Sequence, residues 1–275
     1  MPVIRLQQAV SSSEAVQPFD LSDRGLLLGD GVFDTSLIID GRMILRTRHI
    51  ERLLNACDAF GLAVSRADLD SLADSALSPG ETGALRLTVT RGPGGRGLEG
   101  PAGQKPTLLA SFSSQPLTWP AQPVRLGVST IRRNPTAPSA RHKTLAYTDA
   151  VAGQRQARAD GFDDALYCTT DGRVACSSIA NIFARYDDRL ITPPLTDGVV
   201  AGVMRGWILE HAAAAGFKAV EESLDLATLK TADTVFLTNS LRLIVPVECI
   251  DDTVFHPEIP TSLVDIAGQI LAGTD

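Results

Sequence analysis

The chain has 275 residues, 44% of them hydrophobic, with a net charge of −7 and a pI near 5.1. That length supports a substantial core and excludes a disordered or fibrous chain. The acidic balance, with no basic run longer than Arg132-Arg133, argues against a nucleic-acid partner or an anionic membrane surface and leaves small-molecule chemistry.

In chain order, Met1 to Val10 lacks the charged-then-apolar layout of a signal peptide, so a cytoplasmic protein is expected. Val32 to Ile39 reads as a strand, Asp40-Gly41 as a tight hairpin turn and Met43 to Leu45 as the returning partner. Ile50, Leu53, Leu54, Cys57 and Phe60 recur at helical spacing before Gly61. A second helix is expected around Ala67 to Leu77, stopping at Pro79-Gly80. Strands at Ala84 to Thr90 and Thr107 to Phe112 flank a glycine-rich loop from Arg91 to Gly103. The proline-bearing, aperiodic stretch Ser113 to Pro123 reads as a linker, which divides the chain into lobes over 1–115 and 124–275 joined by 116–123. Beyond it, strands near Val124 to Ile131, Ala165 to Cys168, Asn181 to Tyr186 and Val235 to Thr238 alternate with helices near Thr144 to Ala159 and Gly202 to Ala215. The mixture predicts an α+β protein with a β-rich second lobe. Arg205, Glu210 and His211 interrupt the apolar stretch from Val199 to Gly216, which excludes a membrane span there. Cys57, Cys168, Cys176 and Cys249 have no CxxC spacing and the histidines no ligand grouping, so neither a disulfide framework nor a metal site is expected.

The most specific pattern runs from Cys176 through four residues to Asn181-Ile182-Phe183, then to Leu190, Thr192, Val200, Gly202, Val203 and Arg205. In this spacing the chain resembles the class IV aminotransferase family, pyridoxal-phosphate enzymes of fold type IV, whose pattern begins with Glu where this chain has Cys176. The likeness extends roughly from Ser22 to Val247. It implies an α/β N-terminal lobe, a β-barrel-like C-terminal lobe carrying the Schiff-base lysine, pyridoxal 5'-phosphate held between the two, and a homodimer.

Of the four lysines, Lys105 lies in a Gly/Pro-rich loop and Lys218 and Lys230 adjoin helix ends, where a solvated charge is ordinary. Lys143 follows a strand and the irregular segment Arg132 to His142 and immediately precedes the expected helix. Alone it reads as a solvated lysine. Ahead of the long pattern, the resemblance implies that it is the Schiff-base lysine and the proton carrier at the substrate carbon. Arg52, three residues after His49, is similar to the family's phosphate-binding arginine, and a guanidinium pairs bidentately with phosphate oxygens; its ordinary reading is a surface arginine on an amphipathic helix. Gly202, Val203 and Met204 resemble the second phosphate contact, made by backbone amides at a helix start. Ser240 and Leu241 are implied as a third, although Ser240 is also a common turn residue. Ser177 and Asn181 complete the implied cofactor set.

Cys176 is the departure. The family's Glu accepts a hydrogen bond from the pyridine nitrogen and keeps the ring a strong electron sink, and a thiol has neither the charge nor the hydrogen-bonding strength for that. Three readings stand: a small buried hydrophobe in a protein with weak or lost catalysis, a deliberately weaker sink that favours elimination over transamination, or another acid that reaches the nitrogen.

Several shorter pieces resemble 4-amino-4-deoxychorismate lyases: the loop Arg91 to Gly97 with Arg96, Ser22-Asp23-Arg24 leading to Gly29-Asp30-Gly31, Arg133-Asn134-Pro135, and Asn239-Ser240-Leu241. D-amino-acid aminotransferases share the framework but typically carry Tyr where this chain has Phe33 and His where it has Leu98. The resemblance therefore implies a lyase converting 4-amino-4-deoxychorismate to 4-aminobenzoate and pyruvate by beta elimination. An aminotransferase for D- or branched-chain amino acids and a cofactor-binding protein with lost catalysis are the alternatives. Arg24 and Arg96 compete as the carboxylate clamp. Phe33 and Tyr147 are further substrate-site candidates, Tyr147 expected one helical turn beyond Lys143.

Overall fold

The computed structural model describes residues 3–7, 19–95, 97–100, 103 and 105–272. Two units divide the chain, one of Met1–Leu117 with Lys143–Ala146 and one of Thr118–His142 with Tyr147–Asp275.

The first unit contains β1 (Val3–Gln7), α1 (Arg24–Leu28), β2 (Gly31–Ile39), β3 (Arg42–Met43), α2 (Arg46–Ala59), α3 (Arg66–Ser75), β4 (Gly83–Thr90) and β5 (Thr107–Ser114). Its sheet has the order β1-β5-β4-β2-β3, antiparallel except where β1 runs parallel to β5. Asp40 and Gly41 both take positive φ, as the tight hairpin requires. A capping box between Ser65 and Asp68 starts α3. Strand side chains alternate between faces. Val32, Ile38, Leu85, Leu87 and Val89 therefore bury against Ile50, Leu53 and Cys57 of α2 and Leu69 and Leu72 of α3, while Phe33, Thr35, Arg86 and Thr88 share the other face.

The Lys143 segment corrects two expectations. The sequence reads a helix from Thr144 and places the lysine in the lobe over 124–275. Instead, Phe33 N–H donates to the Lys143 carbonyl at 2.8 Å, Leu145 N–H donates to the Gly31 carbonyl at 3.0 Å, and Thr144 bridges Val32. β3 covers only the Ile38–Ile39 end of β2. The other end of that edge has unpaired backbone groups, and Lys143–Leu145 satisfies them by lying extended along it. The helix accordingly begins at Thr148.

The second unit contains β6 (Val124–Val128), α4 (Pro138–Arg141), α5 (Thr148–Ala159), β7 (Asp164–Cys168), β8 (Val174–Ser177), β9 (Asn181–Tyr186), β10 (Arg189–Thr192), α6 (Val203–His211), β11 (Lys218–Glu221), α7 (Leu226–Leu229), β12 (Thr234–Asn239), β13 (Leu243–Ile250), β14 (Thr253–Val254) and α8 (Thr261–Gln269). Strands β9, β12, β13, β6, β7 and β8 follow one another by pairing, and the β8–β9 pair closes them into a barrel. A buried cluster that includes Leu126, Leu166, Ile182, Leu237 and Val245 forms its core. The β-rich second lobe expected from the sequence is thus a closed barrel. Among the described residues, no helix is long and apolar enough to cross a membrane.

α5 packs on β7 through a close approach at Gly153, where an added Cβ would lie 2.0 Å from the Tyr167 hydroxyl oxygen. That hydroxyl donates to the carbonyls of Asp149 at 3.1 Å and Ala150 at 3.3 Å. In an open helix, Gly to Ala would gain ~1 kcal/mol from propensity. Here the overlap outweighs that gain, and Gly153→Ala is expected to destabilise the protein by about 1–3 kcal/mol in equilibrium urea unfolding.

Candidate active site

Two consecutive residues of β2 organise the site in the first unit. Phe33 fixes the backbone of Lys143, and on the face away from α2 its ring lies 4.6 Å from Lys143 Nζ. Arg86, paired opposite Thr35, stacks its guanidinium over the same ring at 3.5 Å and donates from Nε to Thr88 Oγ1 at 3.2 Å. Arg86 escaped the sequence reading. Its signal was the polar alternation Arg86, Thr88, Thr90 in a strand whose other positions are apolar.

Asp34 points to the α2 face. His49 Nδ1 contacts its Oδ1 at 2.6 Å, and Arg52 Nε donates to its Oδ2 at 2.7 Å. Asp34 and His49 are each 2% exposed and Arg52 17%. Burial alone would raise the Asp34 carboxyl, but Arg52 and His49 outweigh it and hold the group far below the ordinary carboxylate range. Burial lowers His49 against the pull of Asp34, with the charges of Arg52 and Lys143 adding to the lowering. The ionised carboxylate makes His49 Nδ1 the donor of their hydrogen bond. Asp34 also went unread in the sequence, hidden within a strand that is otherwise almost wholly buried.

In the second unit, successive pairings set Tyr167 opposite Cys176, Cys176 opposite Asn181, and Asn181 opposite Thr238. Paired residues share a face, so Cys176, Asn181 and Thr238 stand side by side at strand spacing, on the side away from their inward neighbours Ile182 and Leu237. Cys176 is 8% exposed. Burial pushes its thiol up, Asp164 adds to the rise and Arg133 opposes it, so the group is a neutral thiol. Thr238 Oγ1, Asp164 Oδ2 and Arg133 Nε are buried without a hydrogen-bond partner.

Asn181 Nδ2 donates to the Val200 carbonyl at 2.9 Å, and an added Cβ on Gly202 would fall 2.0 Å from Asn181 Oδ1. Gly202 caps the start of α6 without any side-chain cap bond. The first turn of α6, with Val203 and Met204, therefore starts without a side-chain cap. Arg205, at the end of the pattern, braces this turn by contacting Glu221 and donating to the Pro193 carbonyl at 2.9 Å.

The remaining candidates occupy varied positions. Asn239 Oδ1 accepts from Leu241 N–H at 3.0 Å and Arg242 N–H at 2.9 Å, shaping the turn that presents Ser240 and Leu241. Ser177 pairs with Leu166, so it lies on the opposite face from Cys176, and Ile179 N–H donates to its Oγ at 3.4 Å. Tyr147 is the residue capping α5. Because Lys143–Ala146 is extended, Tyr147 does not stand one helical turn beyond the lysine. Arg24 is buried, pairing with Asp30 at 2.9 Å and donating to the carbonyls of Gly97 at 2.8 Å and Leu98 at 2.9 Å. Arg91 joins the same Asp30 at 2.8 Å. These contacts make Arg24 a brace of the loop. Arg96 lies outside the described residues.

A closed barrel following an α/β unit is the arrangement expected of a pyridoxal-phosphate enzyme of fold type IV. The amino-transferase class IV family model matches residues 31–250, and the chain belongs to that family. An aminodeoxychorismate lyase of Bacillus subtilis is 31% identical over 244 residues, covering 86% of this chain and 82% of the relative. A candidate branched-chain-amino-acid aminotransferase of Methanocaldococcus jannaschii is also 31% identical, over 240 residues, covering 85% of this chain and 83% of the relative. The solved structure of a candidate 4-amino-4-deoxychorismate lyase of Legionella pneumophila matches with a TM-score of 0.85 at 29% identity, covering 98% of this chain and all of that one (100%).

The protein is thus a pyridoxal-phosphate-dependent enzyme acting on small molecules, and its residues fit the cofactor. In the second unit the unpartnered Thr238 hydroxyl is a neutral donor of the kind a phosphate would take up, and in the first the Arg52 guanidinium has the charge that would suit one. Gly202→Ala is expected to force Asn181 or the turn aside and to weaken cofactor binding about tenfold or more, measured by absorbance titration of the apoprotein.

Proposed function

We propose that this enzyme is a lyase that converts 4-amino-4-deoxychorismate to 4-aminobenzoate and pyruvate, and that it works as a homodimer. The observation that carries this reading is the neutral Cys176 thiol where the family places a carboxylate. When bound, pyridoxal phosphate would supply an electron sink for the carbon that bears the substrate amine. Without a carboxylate beside the pyridine nitrogen that sink is weak, which disfavours returning a proton to the cofactor and leaves expulsion of a neighbouring group as the productive course.

In this reading, Lys143 removes the proton from the amine-bearing carbon while the adjacent carbon–oxygen bond breaks. Loss of both makes the ring aromatic. The departing enolpyruvate gains a proton at its methylene carbon and becomes pyruvate, so no oxidant, reductant or water is consumed. Phe33 supplies an apolar floor against which the flat substrate ring rests. Arg86, on the same face as Lys143, receives a substrate carboxylate. Arg24 fixes the loop that carries Arg96. Likeness to the Bacillus subtilis and Legionella pneumophila proteins supports the lyase reading, and likeness to the Methanocaldococcus jannaschii protein supports the second reading, an aminotransferase.

Purified, cofactor-loaded protein given 4-amino-4-deoxychorismate should release pyruvate and 4-aminobenzoate in equal amounts, and Lys143→Ala should release neither. If the protein instead passes amino groups from D- or branched-chain amino acids to its cofactor and leaves this substrate intact, the aminotransferase reading replaces the lyase. Cys176→Glu is expected to speed that amine-transfer half-reaction about tenfold or more in stopped-flow absorbance, the effect of ~1.4 kcal/mol of added carbanion stabilisation.

A further inference from the structure

We propose that Asp34 is the positioning residue that aims Arg52 at the cofactor phosphate, with His49 anchoring the other carboxylate oxygen. The inference rests on Arg52 being the phosphate ligand.

His49 and Arg52 are three residues apart on α2 and project from one helix face toward β2. Asp34 meets both, one oxygen to each, at 2.6 Å and 2.7 Å. Its contact on Arg52 is to Nε, the inner edge of the fork, and this fixes the guanidinium plane through a charge-assisted bond. An arginine side chain otherwise has several rotatable bonds and loses considerable freedom on binding. A carboxylate that already holds it covers that entropic cost before the phosphate arrives. The burial gradient agrees with this role. Asp34 and His49 are sealed at 2% exposure, whereas Arg52 reaches 17% and is the member of the three that an incoming anion can meet.

The placement on β2 adds a second consequence. Residue 33 holds the backbone of Lys143 and residue 34 holds the head of Arg52, on opposite faces of one strand. One strand register therefore sets the lysine and the phosphate arginine together, and a slip of a single residue would reverse both faces.

Affinities for pyridoxal 5'-phosphate and for unphosphorylated pyridoxal, each measured by absorbance of the Schiff base on apoprotein, separate positioning from general stability. Asp34→Asn is expected to weaken pyridoxal phosphate about tenfold or more while changing pyridoxal by no more than about twofold, so that the preference for the phosphorylated form approaches that of Arg52→Ala. Asp34→Glu should restore much of the preference. Equal weakening of both ligands, or an unchanged preference in folded Asp34→Asn, would overturn the proposal. If Arg52→Ala itself leaves the preference intact, the phosphate assignment fails rather than the role of Asp34. Should Asp34→Asn not fold by circular dichroism, Asp34→Ser carries the same test, because it removes the carboxylate that holds Arg52. A reduced preference there supports the positioning role, and an unchanged one contradicts it.

Discussion

The edge pairing of Lys143–Leu145 with the first residues of β2 is the constraint on which the proposed chemistry depends. A lysine before a helix can lie anywhere its loop allows. A lysine whose carbonyl accepts from Phe33 and whose neighbour bridges Val32 has its side chain directed by a sheet, over the Phe33 ring. The hydrogen bonds involved are ordinary ones, each contributing about 1 kcal/mol net to stability. Their value lies in the register they impose, since catalysis depends on reacting groups held within a fraction of an ångström.

The second unit meets the same need by different means. Its barrel closes through Cys176 and Asn181, so the pair that completes the fold also heads the longest family pattern. Asn181 then reaches across to the Val200 carbonyl, and Gly202 leaves room for its amide. The start of α6 is thereby pinned with its first amides uncapped. A carboxylate at position 176 would add charge to this row. A neutral thiol leaves the row uncharged and, in the proposed reading, would give the cofactor ring a weaker partner.

Much of this was legible in the sequence, and the failures have identifiable physical causes. The pattern from Cys176 to Arg205 located the α6 start, and alternation located β2, β4, β9 and β12. Thr144 to Tyr147 carries no helix breaker, so the helix expected for α5 ran backwards into it, and only the unpaired edge of β2 drew Thr144 into a bridge with Val32 instead. β8, β10 and β11 are four residues each, too short for alternation to register. Arg24 was a carboxylate-clamp candidate through the likeness of Ser22-Asp23-Arg24 to the lyases; the structure shows its guanidinium engaged by Asp30 and two loop carbonyls. Asp34 was invisible because its importance comes from partners on another element, which a single strand pattern cannot reveal, and Arg86 left a trace only in the polar alternation of β4.

Borohydride reduction of the cofactor-loaded protein, followed by peptide mapping, tests the central assignment directly. Reduction fixes the cofactor to whichever lysine carries it. The account predicts a single modified peptide containing Lys143, with Lys105, Lys218 and Lys230 unmodified. Modification at one of those three, with Lys143 untouched, would contradict it.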